Sequence, residues 1–164
     1  MAITITSTAF GEGADIPIQY TCDGANISPP LSWTGVSPDA KSLILVVKDP
    51  DAPNGTFIHW VLYNLPPNIG GLPDDVPADE NLDNGGQQCT NGFGDIGYGG
   101  PCPPPGDKAH RYFFDLYALD AEISLPSKVS ESEINNTIRD SIVDEGHLMG
   151  KYQRQEQGKA RKAG

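Results

Sequence analysis

Three apolar runs give the strongest pattern in the chain. Leu43-Ile44-Leu45-Val46-Val47 is continuously apolar. It is short for a helix and rich in β-branched residues, which predicts a strand buried on both faces. Phe57-Ile58-His59-Trp60-Val61-Leu62-Tyr63-Asn64 reads as the next strand, antiparallel to the first across Asp49-Pro50-Asp51-Ala52-Pro53-Asn54-Gly55, a turn with two prolines and an Asn-Gly. Tyr112-Phe113-Phe114-Asp115-Leu116-Tyr117-Ala118-Leu119 is an aromatic run of the same kind. Alternation over residues 3–7 predicts a half-buried strand, Pro29-Pro30 leads an extended segment into Trp33, and residues 148–153 could form a last short strand.

One helix is written clearly. Ser130 with Glu133 three residues later forms a capping box, Ile134, Ile138 and Ile142 repeat every fourth residue, and Gly146 is a natural stop. The spacing predicts a helix over 130–145. Residues 65–88 are polar and carry Pro66-Pro67, Gly70-Gly71 and Gly85-Gly86, so they read as a long surface loop. The pattern is mainly β in a single domain over 1–153, with a polar, disordered tail expected over 154–164.

Composition narrows the functions. The chain has 164 residues with 19 glycines and 15 prolines, which suits short strands joined by many turns. Its formal charge is −11, so its surface repels nucleic-acid phosphates and anionic headgroups at long range. Nucleic-acid binding and stable membrane anchoring are excluded as expectations. Homodimerisation is left open. Residues 1–6 show neither a basic region nor a long apolar run, and no stretch is long enough to span a bilayer. Three cysteines without a CxxC pair point to free thiols in a reducing cytoplasm, with one bridge involving Cys22 left open.

The candidate chemistry sits where these strands begin and end. Gly99-Gly100-Pro101-Cys102-Pro103-Pro104-Pro105-Gly106-Asp107 runs through Lys108 and Ala109 into His110-Arg111-Tyr112. The prolines stiffen this loop, and Gly99 and Gly100 are placed to offer bare N–H groups. His110 and Tyr112, two residues apart, share one face of a strand. Asp49 ends a strand, Asp51 follows it, and His59 lies near the start of the adjoining one. If the three strands are neighbours, Asp49, His59, His110 and Tyr112 converge at one edge of the sheet. A carboxylate beside an imidazole orients it and raises its pKa, and with Tyr112 and Gly100 this makes a small pocket for an anion. Taken singly, each residue reads more simply: a turn cap, a structural histidine, a core tyrosine.

Asp49-Pro50-Asp51-Ala52-Pro53, His59-Trp60, and Gly99-Gly100-Pro101 through His110-Arg111-Tyr112 closely resemble the phosphatidylethanolamine-binding protein family, in its prokaryotic Raf-kinase-inhibitor-like branch. Tyr20-Thr21-Cys22-Asp23-Gly24 and Ser28-Pro29-Pro30-Leu31-Ser32-Trp33 resemble it too. The resemblance implies a large antiparallel sheet packed on a smaller one. It also implies an anion pocket at one end, lined by Asp49, His59, Gly100, Pro101, His110 and Tyr112; Asp51, two residues after Asp49, is taken with them as a ligand-binding candidate, and no cofactor is expected. Family members bind phosphate-bearing headgroups and inhibit kinases or proteases, so the expected role is a binding and inhibitory one. With the crowding of the corner it also favours a cis bond at Ala52-Pro53. The sequence departs from the pattern in a shortened segment over 145–152 and in Cys89.

Two competing readings use the same residues. A thiol-dependent hydrolase would use Cys102 with His110 and Asp107, but prolines flank Cys102 and supply no backbone N–H for an oxyanion hole. A metal protein would use Asp49, Asp51, His59 and His110, residue types that suit zinc.

Overall fold

The structure, a computed structural model, describes residues 2–154; the tail expected over 154–164 lies, from residue 155 on, outside the described residues. In chain order the elements are β1 (Thr4–Thr6), β2 (Leu31–Thr34), β3 (Ser42–Asp49), β4 (Phe57–Leu65), β5 (Gly71–Leu72), β6 (Gln87–Gln88), β7 (His110–Leu119), α1 (Glu131–Ile138) and β8 (Ile142–Tyr152). They form a five-stranded sheet ordered β6-β4-β3-β7-β8 and a three-stranded sheet ordered β1-β2-β5. Every strand pair is antiparallel. The mainly β architecture with one large and one small sheet is therefore present.

The central strand explains its own sequence. Leu43, Leu45 and Val47 of β3 point into a core shared with Ile5 and Trp33 of the small sheet. Ile44 and Val46 point the other way, into a second core covered by Ile134 and Ile138 of α1. A strand with apolar cover on both faces has no polar positions in its middle, which is why the run does not alternate.

The helix begins as its capping box requires. The Ser130 hydroxyl accepts from the Glu133 N–H at 3.1 Å, and the Glu133 carboxylate accepts from the Ser130 N–H at 3.0 Å. It ends at Ile138, well short of the expected 145. Ile142 and Gly146 instead belong to β8, an eleven-residue strand. Gly146 is there for close approach: a Cβ at this position would lie 2.2 Å from the Ile3 carbonyl oxygen. The neighbouring Glu145 carbonyl accepts from the Ile3 N–H at 3.0 Å, so the start of the chain covers the outer edge of β8.

The stretch expected as a long loop over 65–88 carries the short strands β5 and β6, is held to Ser28 by the N–H groups of Asp75 and Val76 at 2.9 Å each, and gathers round one amide. Gln88 accepts from the Trp60 indole at 2.7 Å and donates to the carbonyls of Pro77 and Asp79 at 2.8 and 2.7 Å. Two further expectations are corrected. No described peptide bond is cis. The Gly55 N–H donates to the Ala52 carbonyl at 3.2 Å, so Pro53 occupies the second position of a turn, where the fixed φ of a trans proline already fits. The thiols are not all free: Cys22 is bonded to Cys102 across 80 residues, and Cys89 alone is unpaired and buried.

That bridge closes a long loop, so it should restrict the unfolded chain strongly. Replacing both Cys22 and Cys102 by Ser is expected to cost about 2–5 kcal/mol, read by urea denaturation. A change below about 0.5 kcal/mol, the level of an ordinary surface substitution, would show that the bridge does not contribute.

Candidate functional site

Antiparallel pairing brings three strand ends to one place. Asp49 is the last residue of β3, His59 lies near the start of β4, and His110 and Tyr112 open β7. These four side chains line a cleft of about 310 Å³ with Phe57, Phe93 and the prolines at 53, 103 and 104 among its walls. The convergence expected from the sequence is therefore present.

Asp49 is only 3% exposed. One of its carboxylate oxygens accepts from the Asp51 N–H at 2.7 Å, and the other faces His110 Nδ1 at 2.7 Å. His110 Nε2 faces the carboxylate of Asp107 at 3.2 Å. Burial alone would lower the His110 pKa, but hydrogen bonds to Asp49 and Asp107 raise it above the ordinary imidazole value. With an acceptor on each nitrogen, the ring is suited to the imidazolium form.

His59 behaves in the opposite sense. Its Nδ1 donates to the Gly99 carbonyl at 2.6 Å, and burial pushes its pKa down despite the pull of that carbonyl and of Asp49. Tyr112 is 1% exposed, and its hydroxyl lies by the Asp49 carboxylate yet meets the hydrogen-bond geometry of no partner. Burial, then Asp49, pushes the phenol well above its ordinary range. An orphaned buried hydroxyl on the wall of a cleft is a donor held ready for a ligand.

Three expected site residues stand behind the cleft or beside it. The N–H groups of Gly99 and Gly100 are not bare: the first donates to the His59 carbonyl at 2.9 Å and the second to Asn26 Oδ1 at 2.8 Å. Gly100 is required for contact instead, because a Cβ there would lie 2.3 Å from the Tyr20 carbonyl oxygen. The Pro101 carbonyl accepts from the Cys22 N–H at 3.1 Å and supports the loop from outside the cleft. Asp51 turns away to hold Arg111 in a bidentate pair, whose hydrogen bonds keep its carboxyl at about 2.

Sequence reasoning missed Phe93 and Asn26. Phe93 packs against Phe57 with tilted rings 4.8 Å apart and lies 5.5 Å from His59, yet is 49% exposed. Asn91 positions it by accepting from the Phe93 N–H at 2.8 Å and donating to the Gly97 carbonyl at 2.9 Å. An Asn followed two residues later by an aromatic, inside a Gly-rich loop, is the only local signal for it.

Both competing chemistries lose their geometry. Cys102 has no thiol, since it is bonded to Cys22. Cys89 is 1% exposed and burial pushes its thiol up to about 11. Among the described residues no group of three or more His, Cys, Asp and Glu is placed to hold a metal ion. Nor is any helix long and apolar enough to cross a membrane.

A sequence profile described as phosphatidylethanolamine-binding protein matches residues 6–153. The chain belongs to this family. Similar members include a UPF0098 protein of Methanothermobacter thermautotrophicus, 45% identical over 93% of this chain and 99% of its own. Another is a UPF0098 protein of Aquifex aeolicus, 42% identical over 92% of this chain and 88% of its own. Among solved structures, Escherichia coli YbcL, described as a member of the mammalian family, superposes with a TM-score of 0.84 at 32% identity, over 93% of this chain and 99% of its own. In this member of the family, the site motifs therefore occupy the end of the large sheet.

The two cleft histidines should titrate on opposite sides of the ordinary value near 6.5: His110 above it and His59 below it, followed by ring NMR signals and assigned with single variants. For His110 the raised pKa contributes stability that is full below the unfolded value and is lost as pH rises through the folded one. His59 acts inversely and weakens the fold as pH falls below its unfolded value. Asp49→Ala should lower the His110 pKa and cost about 3–5 kcal/mol, as expected for removing one partner of a buried ion pair. An unmoved His110 titration in that variant would contradict the assignment.

Proposed function

We propose that this protein binds a small anion, a phosphate or phosphomonoester, in the cleft at Asp49, His59, His110 and Tyr112, and acts through it as a regulatory or inhibitory module toward a protein partner. The observation that carries the reading is the Tyr112 hydroxyl: buried, unpartnered and on the cleft wall. The geometry changes the roles expected from the sequence. Gly100 is not a donor, and His110 has both nitrogens engaged. Tyr112 is the direct donor, His59 is the ring whose Nε2 is left over, and the Asp49–His110 pair supports both. The apolar walls formed by Phe57, Phe93 and Pro104 suit an organic group attached to the anion.

Inhibition of a kinase or protease is a role known in the family and rests here on membership of it. An enzymatic role draws no support from the site, since the thiol that would serve as nucleophile is bonded. For location, the cysteine argument for a reducing cytoplasm loses its basis. A disulfide is at home in an oxidising compartment or inside a hyperthermophile.

The test separates binding from folding. Tyr112→Phe removes a hydroxyl that lies by the Asp49 carboxylate without a well-formed hydrogen bond, so stability should change by no more than about 1 kcal/mol. The same change should weaken phosphate binding about tenfold to hundredfold, the loss of one charge-assisted hydrogen bond. Calorimetric titration of inorganic phosphate into both proteins, with thermal unfolding alongside, reads the two effects. Equal affinity in wild type and variant, or no phosphate binding at all, would overturn the reading.

A further inference from the structure

The anion reading leaves open what His59 contributes, and its surroundings decide that. Gly99 grips this residue twice: its carbonyl accepts from Nδ1 at 2.6 Å and its N–H donates to the His59 carbonyl at 2.9 Å. A carbonyl oxygen only accepts, so Nδ1 carries the hydrogen, and in the neutral ring Nε2 is a lone pair. Among the described residues the ring's one hydrogen bond of full geometry is at Nδ1; the Gly100 carbonyl also lies against the ring, which lines the cleft with Nε2 left to meet a ligand. Phe57, Phe93 and Tyr112 surround the ring with centroids at 4.9, 5.5 and 5.2 Å, and the residue is 3% exposed. Charging it would bury a cation in an apolar cage.

Burial outweighs the pull of Asp49 toward a charged ring. Asp49 faces it from β3 and His110 from β7, and these two are paired to each other. Among the described residues they are also the only charged side chains lining the cleft, where no Lys or Arg takes part. The charged part of the lining is thus close to neutral; Asn54 and Thr56 stand on its wall, and deeper in, the buried Tyr112 hydroxyl is a donor and His59 Nε2 an acceptor.

We propose that His59 is the specificity-determining residue of the cleft, and that its Nε2 accepts a hydrogen bond from the ligand, so that the site selects oxyanions that still carry a hydrogen, such as the monoanion of a phosphomonoester. This rests on the anion reading above. In such a complex the Tyr112 hydroxyl donates to an ionised oxygen and the P–OH donates to His59, so each polar group meets its complement. A fully ionised phosphate or a sulfate ester sets a lone pair against a lone pair at Nε2. The phosphomonoester dianion takes up a proton near pH 6 to become the monoanion, so binding strengthens in mild acid because the ligand changes, with His59 neutral throughout.

Methyl phosphate and methyl sulfate test this directly. At pH 5 both are monoanions of nearly the same shape, and only the first carries an O–H. Wild-type protein should bind methyl phosphate at least about tenfold more tightly, the scale of a buried polar group left unpaired. The ring nitrogens of His59 should keep the neutral pattern, with the hydrogen on Nδ1, when methyl phosphate saturates the site. His59→Gln, whose amide can offer a donor, should narrow the preference. Equal affinity for the two esters, or an imidazolium signal from ligand-bound His59, overturns the inference and leaves the anion reading standing. Binding of neither ester overturns both.

Discussion

A carboxylate that is 3% exposed has to be neutralised where it stands, and Asp49 meets that condition at the end of the most buried strand in the protein. Its two oxygens organise two pieces of chain. One shapes the turn after β3 by accepting from Asp51, and the other draws His110 from β7 across to β3. The histidine then takes a second carboxylate, Asp107, from the proline loop. A single buried charge therefore fixes the relation between the turn, the third strand and the loop that closes the cleft. Whether such a pair stabilises the fold relative to apolar packing is a separate matter, since desolvation offsets much of the attraction. What it supplies is position.

The packing behind the pair makes that position rigid. β3 is covered on one face by the small sheet and on the other by α1, so its end cannot shift without opening a core. The Cys22–Cys102 bridge and the contacts of Gly100 with Tyr20 and Asn26 hold the loop against the same edge. Backbone donors that could have served a ligand are used up in this bracing. What the bracing leaves deep in the cleft is a phenol and one imidazole nitrogen, with Asn54 and Thr56 on the wall.

How much of this was legible in the sequence follows from the range of the interactions. Asp49, His59, His110 and Tyr112 could be placed together because each sits at a strand end, and antiparallel order alone decides which ends meet. The continuous run 43–47 likewise announced a strand with two covered faces. The Ser130 cap was legible because a capping box is local. The fate of Gly100 was not, since its partner Asn26 is 74 residues away and its crowding comes from Tyr20. Gly146 misled for the same reason: a glycine after an apolar stripe reads as a helix stop, but it answers to Ile3 at the other end of the chain. Pro53 fits its turn in the trans form, a choice that depends on the Gly55–Ala52 hydrogen bond and not on proline content. Asp51 was placed in the pocket by proximity along the chain, whereas Arg111 draws it out.

The charge of the whole molecule gives this arrangement its chemical meaning. A chain with formal charge −11 slows the approach of anions at low ionic strength. At physiological salt that field is screened beyond about 8 Å, so it shapes encounter and not the bound state. At contact the cleft does not compensate with surplus positive charge, because His110 already lies between the carboxylates of Asp49 and Asp107. A site without surplus positive charge is poorly matched to a multiply charged anion. On the proposed reading it recognises its ligand by the direction of hydrogen bonds, and selectivity depends on where hydrogens sit on the ligand, a property that a cluster of lysines and arginines would read far less sharply.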